Sequence, residues 1–273
     1  MFLSVIIVPV NGLQILEAKL ERADEHIDKV DAAVEAFLKS EPYRIIVDEK
    51  SQPAKRIYGF DQIIDIPMSI PILAGEVLYQ LRSTLDHLVW QMVLAAGNTP
   101  TRATAFPIAN DSTEYESPKC RRKVNGVPDR AKKLIDDIEP YHGGNEDLWL
   151  LGKLNNVDKH RLLLAVGSYN TARTTTPEDH ARLMQGWVAT PVAEAIEQGF
   201  TLLAHFRSTP RVALKQGHIL YVDSSPEPNK YVGFEFNVAF SEPEIIRVEP
   251  PGLTLKRMWN AVSWVVSDLS IYL

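Results

Sequence analysis

Hydrophobic and polar positions along the chain predict helices in its first part. Between residues 13 and 39, apolar side chains recur at three- and four-residue steps, the pattern of one stripe on an amphipathic helix. A second dense apolar stretch ends at Gly97, with Pro100 beyond it, which is a typical C-terminal stop. The four helices predicted in this part cover residues 13–39, 72–96, 128–139 and 145–163.

Strand patterns occur at the start of the chain, between the first two predicted helices, and after residue 163. Two short runs of β-branched and aromatic residues, 43–49 and 55–60, predict a hairpin between the first two helices. From residue 164 the periodicity changes to strands, which are expected to form one antiparallel sheet before a final helix over 253–271. The apolar start, residues 1–10, predicts a buried strand because it lacks a basic segment and a cleavage pattern. The five later strands are predicted at 164–169, 200–206, 218–223, 231–240 and 245–248.

This order of elements predicts an α+β fold, in which a helical bundle with a hairpin insertion packs on a C-terminal antiparallel sheet and closing helix. A boundary near residue 165 would divide the chain into 1–165 and 166–273, unless both parts form one continuous unit. The single cysteine, Cys120, excludes an intrachain disulfide and favours a reducing compartment. Without a long uncharged apolar stretch, we expect a cytoplasmic protein with no membrane partner.

Charge is unevenly distributed along the chain. A formal net charge of −6 disfavours a protein that coats nucleic acid with its whole surface. The window 119–133 nevertheless holds seven basic residues against one acid, Asp129, beside a polar stretch, 98–127, that predicts an exposed loop with an extended piece at 105–108. Such a cluster can bind phosphates, although a solvated loop explains it equally well. This basic cluster consists of Lys119, Arg121, Arg122, Lys123, Arg130, Lys132 and Lys133.

Candidate chemistry begins in the second predicted helix, in the segment LRSTLDHLVW at residues 81–90. Arg82 and Asp86 are four residues apart, the spacing of an ion pair on a helix surface. His87 projects about 140° away from Arg82 on the same helix, so both residues reach one cleft only if Arg82 bends around or a second copy contributes. A surface ion pair beside a histidine at a bundle seam is the simplest interpretation.

The Arg-x4-His spacing of Arg82 and His87 resembles the motif of HEPN domains, helical bundles that often dimerise and include many metal-independent ribonucleases. That resemblance implies that His87 assists attack of a ribose 2′-OH as general base. It also implies that Arg82 stabilises the charge that develops at phosphorus. RNA and a second copy of the chain are the partners that it predicts, with no cofactor and no metal.

A second polar cluster lies at residues 155–161, in a predicted helix that is apolar almost all round. Asp158 and Arg161, three residues apart, are expected to pair, and His160 lies beside them. Together with the FPI segment at 106–108, the two clusters resemble, in the same order, segments of a group of uncharacterised bacterial proteins, which implies that the motifs belong together. The candidate catalytic residues are Arg82, Asp86, His87, Asp158, His160 and Arg161.

Two other functions fit the same residues. His87, His142 and His160, with Asp86 or Asp158, are of the ligand types that zinc or manganese takes in helical bundles of the DinB type. Alternatively, both clusters are structural, and the protein binds a partner, for instance as the regulatory component of a bacterial defence or toxin module. Neither a dinucleotide-binding, a P-loop nor a nucleophile-elbow motif is present, so no cofactor is predicted.

Overall fold

The computed structural model describes residues 12–49, 55–163, 165–173, 212–213, 219–223, 232–242 and 245–273. Within these ranges the chain has the predicted α+β fold, with seven α-helices and seven strands. Two 3₁₀ turns, Arg122–Val124 and Ser270–Tyr272, follow the fourth and the last helix. The helices are α1 (Gly12–Lys39), α2 (Ser69–Ala95), α3 (Ser112–Tyr115), α4 (Pro118–Arg121), α5 (Asp129–Ile138), α6 (Glu146–His160) and α7 (Pro251–Leu269).

The strands form two sheets, ordered β1-β2-β5 and β4-β3-β6-β7. The predicted hairpin is confirmed: its strands pair antiparallel from Tyr43 opposite Ile63 to Asp48 opposite Ile57. Two predicted strands, 1–10 and 200–206, lie outside the described residues. The strands are β1 (Tyr43–Asp48), β2 (Arg56–Ile63), β3 (Ala165–Arg173), β4 (Val212–Ala213), β5 (Ile219–Asp223), β6 (Val232–Glu242) and β7 (Ile246–Glu249).

The prediction of one sheet for all later strands is wrong. Strand β5 does not join the sheet of β3, β4, β6 and β7. It pairs antiparallel with β2 instead, with Arg56 opposite Asp223. The physical reason is that the hairpin has an open edge, whose backbone N–H and C=O groups need partners. Hydrophobic periodicity reports which face of a strand is buried, but it does not report which strand lies beside it.

Contacts divide the chain into two units made of interleaved segments. The helical unit contains the described residues of 1–34, 67–165 and 240–273, and therefore includes the closing helix α7. The sheet unit contains those of 35–66 and 166–239, and therefore includes the hairpin. The division thus follows tertiary contacts, and one of its breaks lies between residues 165 and 166.

Helix α2 forms the centre of the helical unit. Its core positions, among them Leu78, Leu85 and Met92, are fully buried, and the helix packs against α6 and α7. Each such side chain contributes about 1.5 to 3 kcal/mol when it leaves water. The periodic stripe of α1 is also buried, which explains why both long helices are predicted well from their apolar spacing.

The stretch 98–127 is not the predicted exposed loop. Its polar residues include helix caps: Asp111 accepts from the Glu114 N–H at the start of α3, and Ser117 accepts from the Cys120 N–H at the start of α4. Behind these turns lies a small core of Ala109, Tyr115 and Cys120 with Tyr141 packed against it. Composition indicates a loop here because four-residue helices are too short to show a period.

Candidate functional site

Arg82 and Asp86 of α2 together bind both backbone groups of Phe106, an arrangement here called the Phe106 clamp. Arg82 Nη2 pairs with Asp86 Oδ1 at 2.8 Å and donates to the Phe106 carbonyl at 2.9 Å. The same Asp86 oxygen accepts from the Phe106 N–H at 2.9 Å. The predicted Arg82–Asp86 pair is therefore confirmed, and it also satisfies both backbone groups of a residue far along the chain.

One end of the Arg82 guanidinium has no acceptor. The side chain is only 15% exposed, and its Nη1 is buried without a hydrogen-bond partner in the described part of the chain. Burial lowers the pKa of Arg82, and Asp86 opposes that shift, but an arginine remains charged at neutral pH. A buried charged donor without an acceptor is costly, which indicates that something outside the described chain accepts from it.

Arg82 lines a cavity of about 300 Å³ formed by α2, α6, α3 and the segment 108–110, here called the Arg82 pocket. Lys153 and Lys159 add two further cations to its wall. Its only acid is Glu114, whose carboxylate already accepts from the backbone and side-chain nitrogens of Asn110 at 2.7 and 2.5 Å. The pocket therefore carries an excess of positive charge.

Two further polar residues of α6, Trp149 and Asn155, line the pocket. The Trp149 Nε1 is buried and makes no hydrogen bond with any described residue. Asn155, which also lines the pocket, is 4% exposed. The Trp149 ring is held in place by the His142 ring, at 4.7 Å between centroids, and by Lys153 Nζ, at 5.7 Å. The lining residues thus include two buried donors without a partner in the described chain, Arg82 Nη1 and Trp149 Nε1.

The pocket exists because the segment 105–110 is fixed from several sides. Lys123 Nζ donates to the Ile108 carbonyl at 3.1 Å, and the Ala109 N–H donates to the Pro140 carbonyl at 3.1 Å. Ile108 also lies against α6 at Gly152, where an added Cβ would be 2.8 Å from Ile108 Cγ2. Sequence reasoning identified FPI as a motif but missed this role, because every one of these contacts is long-range.

The structure does not bring Arg82 and His87 together. His87 is exposed, and it is absent from the lining of the Arg82 pocket. Burial and the nearby Lys19 lower the pKa of His87, while Asp86 acts in the opposite direction. Lys19 Nζ donates to Ser83 Oγ at 2.8 Å on this other side of α2. RNA cleavage by Arg82 and His87 stays a prediction, and it would require a second copy of the chain.

The second polar cluster is divided among different partners. Arg161 pairs with the buried Glu242 of β6, at 2.6 Å between Nη2 and Oε2, so the predicted Asp158–Arg161 pair is wrong. The reason is that Arg161 has extended backbone beyond the end of α6 and no longer shares a helical face with Asp158. Asp158 lies against Gly75 of α2, and burial raises its pKa. His160 is exposed and does not line the pocket.

The basic cluster separates into structural and available cations. Arg121 binds Asp136 through both guanidinium nitrogens, Lys123 binds Ile108, and Lys132 pairs with Asp129. The side chains of four others are exposed and make no hydrogen bond or ion pair within the described ranges. These four available cations are Lys119, Arg122, Arg130 and Lys133.

Neither a group of metal ligands nor a membrane-spanning helix is found in the described part of the chain. In the part of the chain that the structure describes, no three His, Cys, Asp or Glu side chains are grouped closely enough to hold a metal ion. Among the same residues, none of the helices has the length and apolar character of a membrane span.

No family model matches the chain, and no curated protein or solved structure matches it significantly. The functional argument therefore depends on the geometry of the Arg82 pocket.

Proposed function

We propose that this protein binds RNA and that the Arg82 pocket takes one of its phosphate groups. The observation that carries the proposal is the buried Arg82 guanidinium, which is held by Nη2 while its Nη1 has no acceptor in the described chain. A phosphate oxygen is a strong acceptor, and arginine forms charge-assisted hydrogen bonds with it. An anion would therefore relieve the cost of the unpartnered donor.

The charge around the pocket supports an anionic ligand. Lys153 and Lys159 attract phosphate, and the single acid of the pocket, Glu114, is already occupied by Asn110. The four available cations of the basic cluster supply further phosphate contacts in a chain that is otherwise acidic. Because each neutralised phosphate releases counterions, we expect binding that weakens steeply with salt.

Pocket size favours a single strand over a duplex. A cavity of about 300 Å³ is at the lower end of ligand pockets and admits a group about the size of one nucleotide. Proteins that recognise single-stranded RNA accept nucleotides separated from the stack, whereas duplexes are contacted across open surfaces. We therefore expect single-stranded RNA to bind more tightly than the same sequence as a duplex.

Fluorescence anisotropy with a short labelled single-stranded RNA, over a series of salt concentrations, tests the proposal. Arg82→Gln is expected to weaken binding about tenfold or more, because a hydrogen bond to a charged group is lost. Lys153→Gln and Lys159→Gln, which leave the Phe106 clamp intact, should each reduce the slope of log affinity against log salt by about one.

Arg22→Gln is the matched control, because Arg22 is an exposed arginine of α1 that, among the described residues, pairs with Glu25. It removes the same charge and should leave binding nearly unchanged. Wild-type affinity in Arg82→Gln and in both lysine variants would overturn the proposal. Denaturing gels of the same mixtures with EDTA, compared with His87→Ala, show separately whether bound RNA is also cleaved.

A further inference from the structure

We infer that the Arg82 pocket recognises a phosphomonoester, the terminal phosphate of an RNA strand or of a free nucleotide, in preference to an internal phosphodiester. The inference rests on the proposed function, since it concerns the same pocket. It adds the chemical form of the phosphate, which neither the motif spacing nor the basic cluster addresses.

The first argument is charge. A phosphomonoester carries about −1.5 to −2 at neutral pH, whereas a diester carries only a single charge. The wall of the pocket holds three cations, Arg82, Lys153 and Lys159, against Glu114 alone. A net charge of two matches a dianion better than a monoanion.

The second argument is the number of unused donors. A terminal phosphate presents three non-bridging oxygens, and each is a strong acceptor. The lining includes Arg82 of α2 and Trp149 of α6, each with a buried nitrogen that has no partner in the described chain, and the amide of Asn155. An internal phosphodiester has two non-bridging oxygens and would leave one of these donors unpaired.

The third argument is shape. Gly152 of α6 and Ile108 meet so closely that a single added methyl group would collide, and both residues line the pocket. A polynucleotide therefore cannot continue between α6 and the segment 106–110. The pocket is closed on this side, which favours a strand end beside Arg82 over a strand that passes through.

The decisive measurement compares one RNA sequence with a 5′-phosphate, a 3′-phosphate or hydroxyl groups at both ends. Binding to the wild-type protein should be about tenfold tighter for one of the phosphate-ended strands than for the hydroxyl-ended strand. Competition with uridine 5′-monophosphate, uridine and inorganic phosphate distinguishes the source. Displacement by the free nucleotide at lower concentration than by the RNA end would assign the pocket to mononucleotides.

Two variants test the donors without removing charge. Trp149→Phe deletes Nε1 but keeps an aromatic ring, and Asn155→Ala deletes the amide. Both should weaken binding of the phosphate-ended strand more than binding of the hydroxyl-ended strand, so that the preference falls severalfold. Trp264→Phe, at an exposed tryptophan of α7, is the control and should keep the full preference.

The outcomes separate this inference from the proposed function. Equal affinity of the wild-type protein for phosphate-ended and hydroxyl-ended RNA, with neither nucleotide nor inorganic phosphate competing, would overturn the inference. If Arg82→Gln still weakens RNA binding in that case, the proposed function stands alone. If Arg82→Gln has no effect on any of these ligands, both fail.

Discussion

Arg82 and Asp86 show what a four-residue spacing predicts and what it leaves open. Helical geometry alone brings the two side chains together, and their ion pair is present at 2.8 Å. Their second role, as a clamp on both backbone groups of Phe106, depends on a contact 20 residues or more away in sequence. Local periodicity contains no information about such a contact, so the pocket beside it was not predicted.

His26 of α1 makes the stability of the helical unit depend on pH. It is buried, and burial together with Arg22 lowers its pKa despite Glu76 Oε2 at 3.1 Å. The unfolded chain then binds more protons than the folded chain as the pH falls through about 6.5. We expect the melting temperature to fall between about pH 7.5 and 5.5, and to fall less in His26→Gln.

Thermal melts followed by circular dichroism over that pH range measure this effect. His160→Gln serves as the control, because His160 is exposed and should leave the pH dependence as it is in the wild-type protein. An identical pH dependence in His26→Gln and the wild-type protein would show that the buried histidine is not responsible.

At the scale of elements, glycines decide where α6 lies. Gly75 of α2 faces Asp158, whose Cγ would be 2.6 Å from an added Cβ, and Gly152 of α6 faces Ile108. The helix is therefore placed by two close approaches, one on each side. Within a helical sequence pattern, a glycine indicates only a residue of low helix propensity, so its packing role is seen only in the structure.

A double-mutant cycle tests the first of these contacts. Gly75→Ala should destabilise the protein by about 1 to 3 kcal/mol, because the methyl group displaces the Asp158 carboxylate. In an Asp158→Ala background the same substitution should instead stabilise by about 1 kcal/mol, since alanine favours the helix. Urea unfolding of the four proteins gives these values, and an equal cost of Gly75→Ala in both backgrounds would contradict the contact.

The short helices α3 and α4 depend on Asp136 of α5. Asp136 accepts from the Tyr115 hydroxyl at 2.6 Å and binds Arg121 through two oxygens. Although burial alone would raise it, these hydrogen bonds lower the pKa of Asp136. Asp136→Ala should cost about 1 to 2 kcal/mol in urea unfolding.

Asp137→Ala is the matched control for this change, because the neighbouring carboxylate is exposed. It should alter the free energy of unfolding by less than about 0.5 kcal/mol. If both variants lose the same stability, the Tyr115–Asp136–Arg121 contacts do not hold the short helices.

Long periodic helices are the elements that the sequence predicts best. The helix predicted at 13–39 is Gly12–Lys39, and the one predicted at 253–271 is Pro251–Leu269. Both repeat their apolar stripe over several turns, so errors at the ends leave the assignment intact. Strand β5 was also located, but its neighbour was wrong because pairing is decided by an edge elsewhere in the chain.

On the scale of the whole molecule, each unit is assembled from separated segments. Helix α7 supplies buried residues such as Leu255, Met258 and Val262 to the helical unit. We therefore expect a fragment of residues 1–165 to lack cooperative thermal unfolding, since α2 and α6 lose their packing against α7. Circular dichroism melts of the fragment and of the full chain test this, and a cooperative fragment would contradict it.

The position of α7 in the chain also affects biosynthesis. Residues 161–250 must be translated after α6 and before α7 begins, which takes roughly 5 to 20 seconds at about 5 to 20 residues per second. During that interval the apolar surface of α2 that α7 covers is exposed on the nascent chain. Folding of the helical unit is therefore completed late, and a chaperone that shields helical apolar surfaces should increase the yield of native protein.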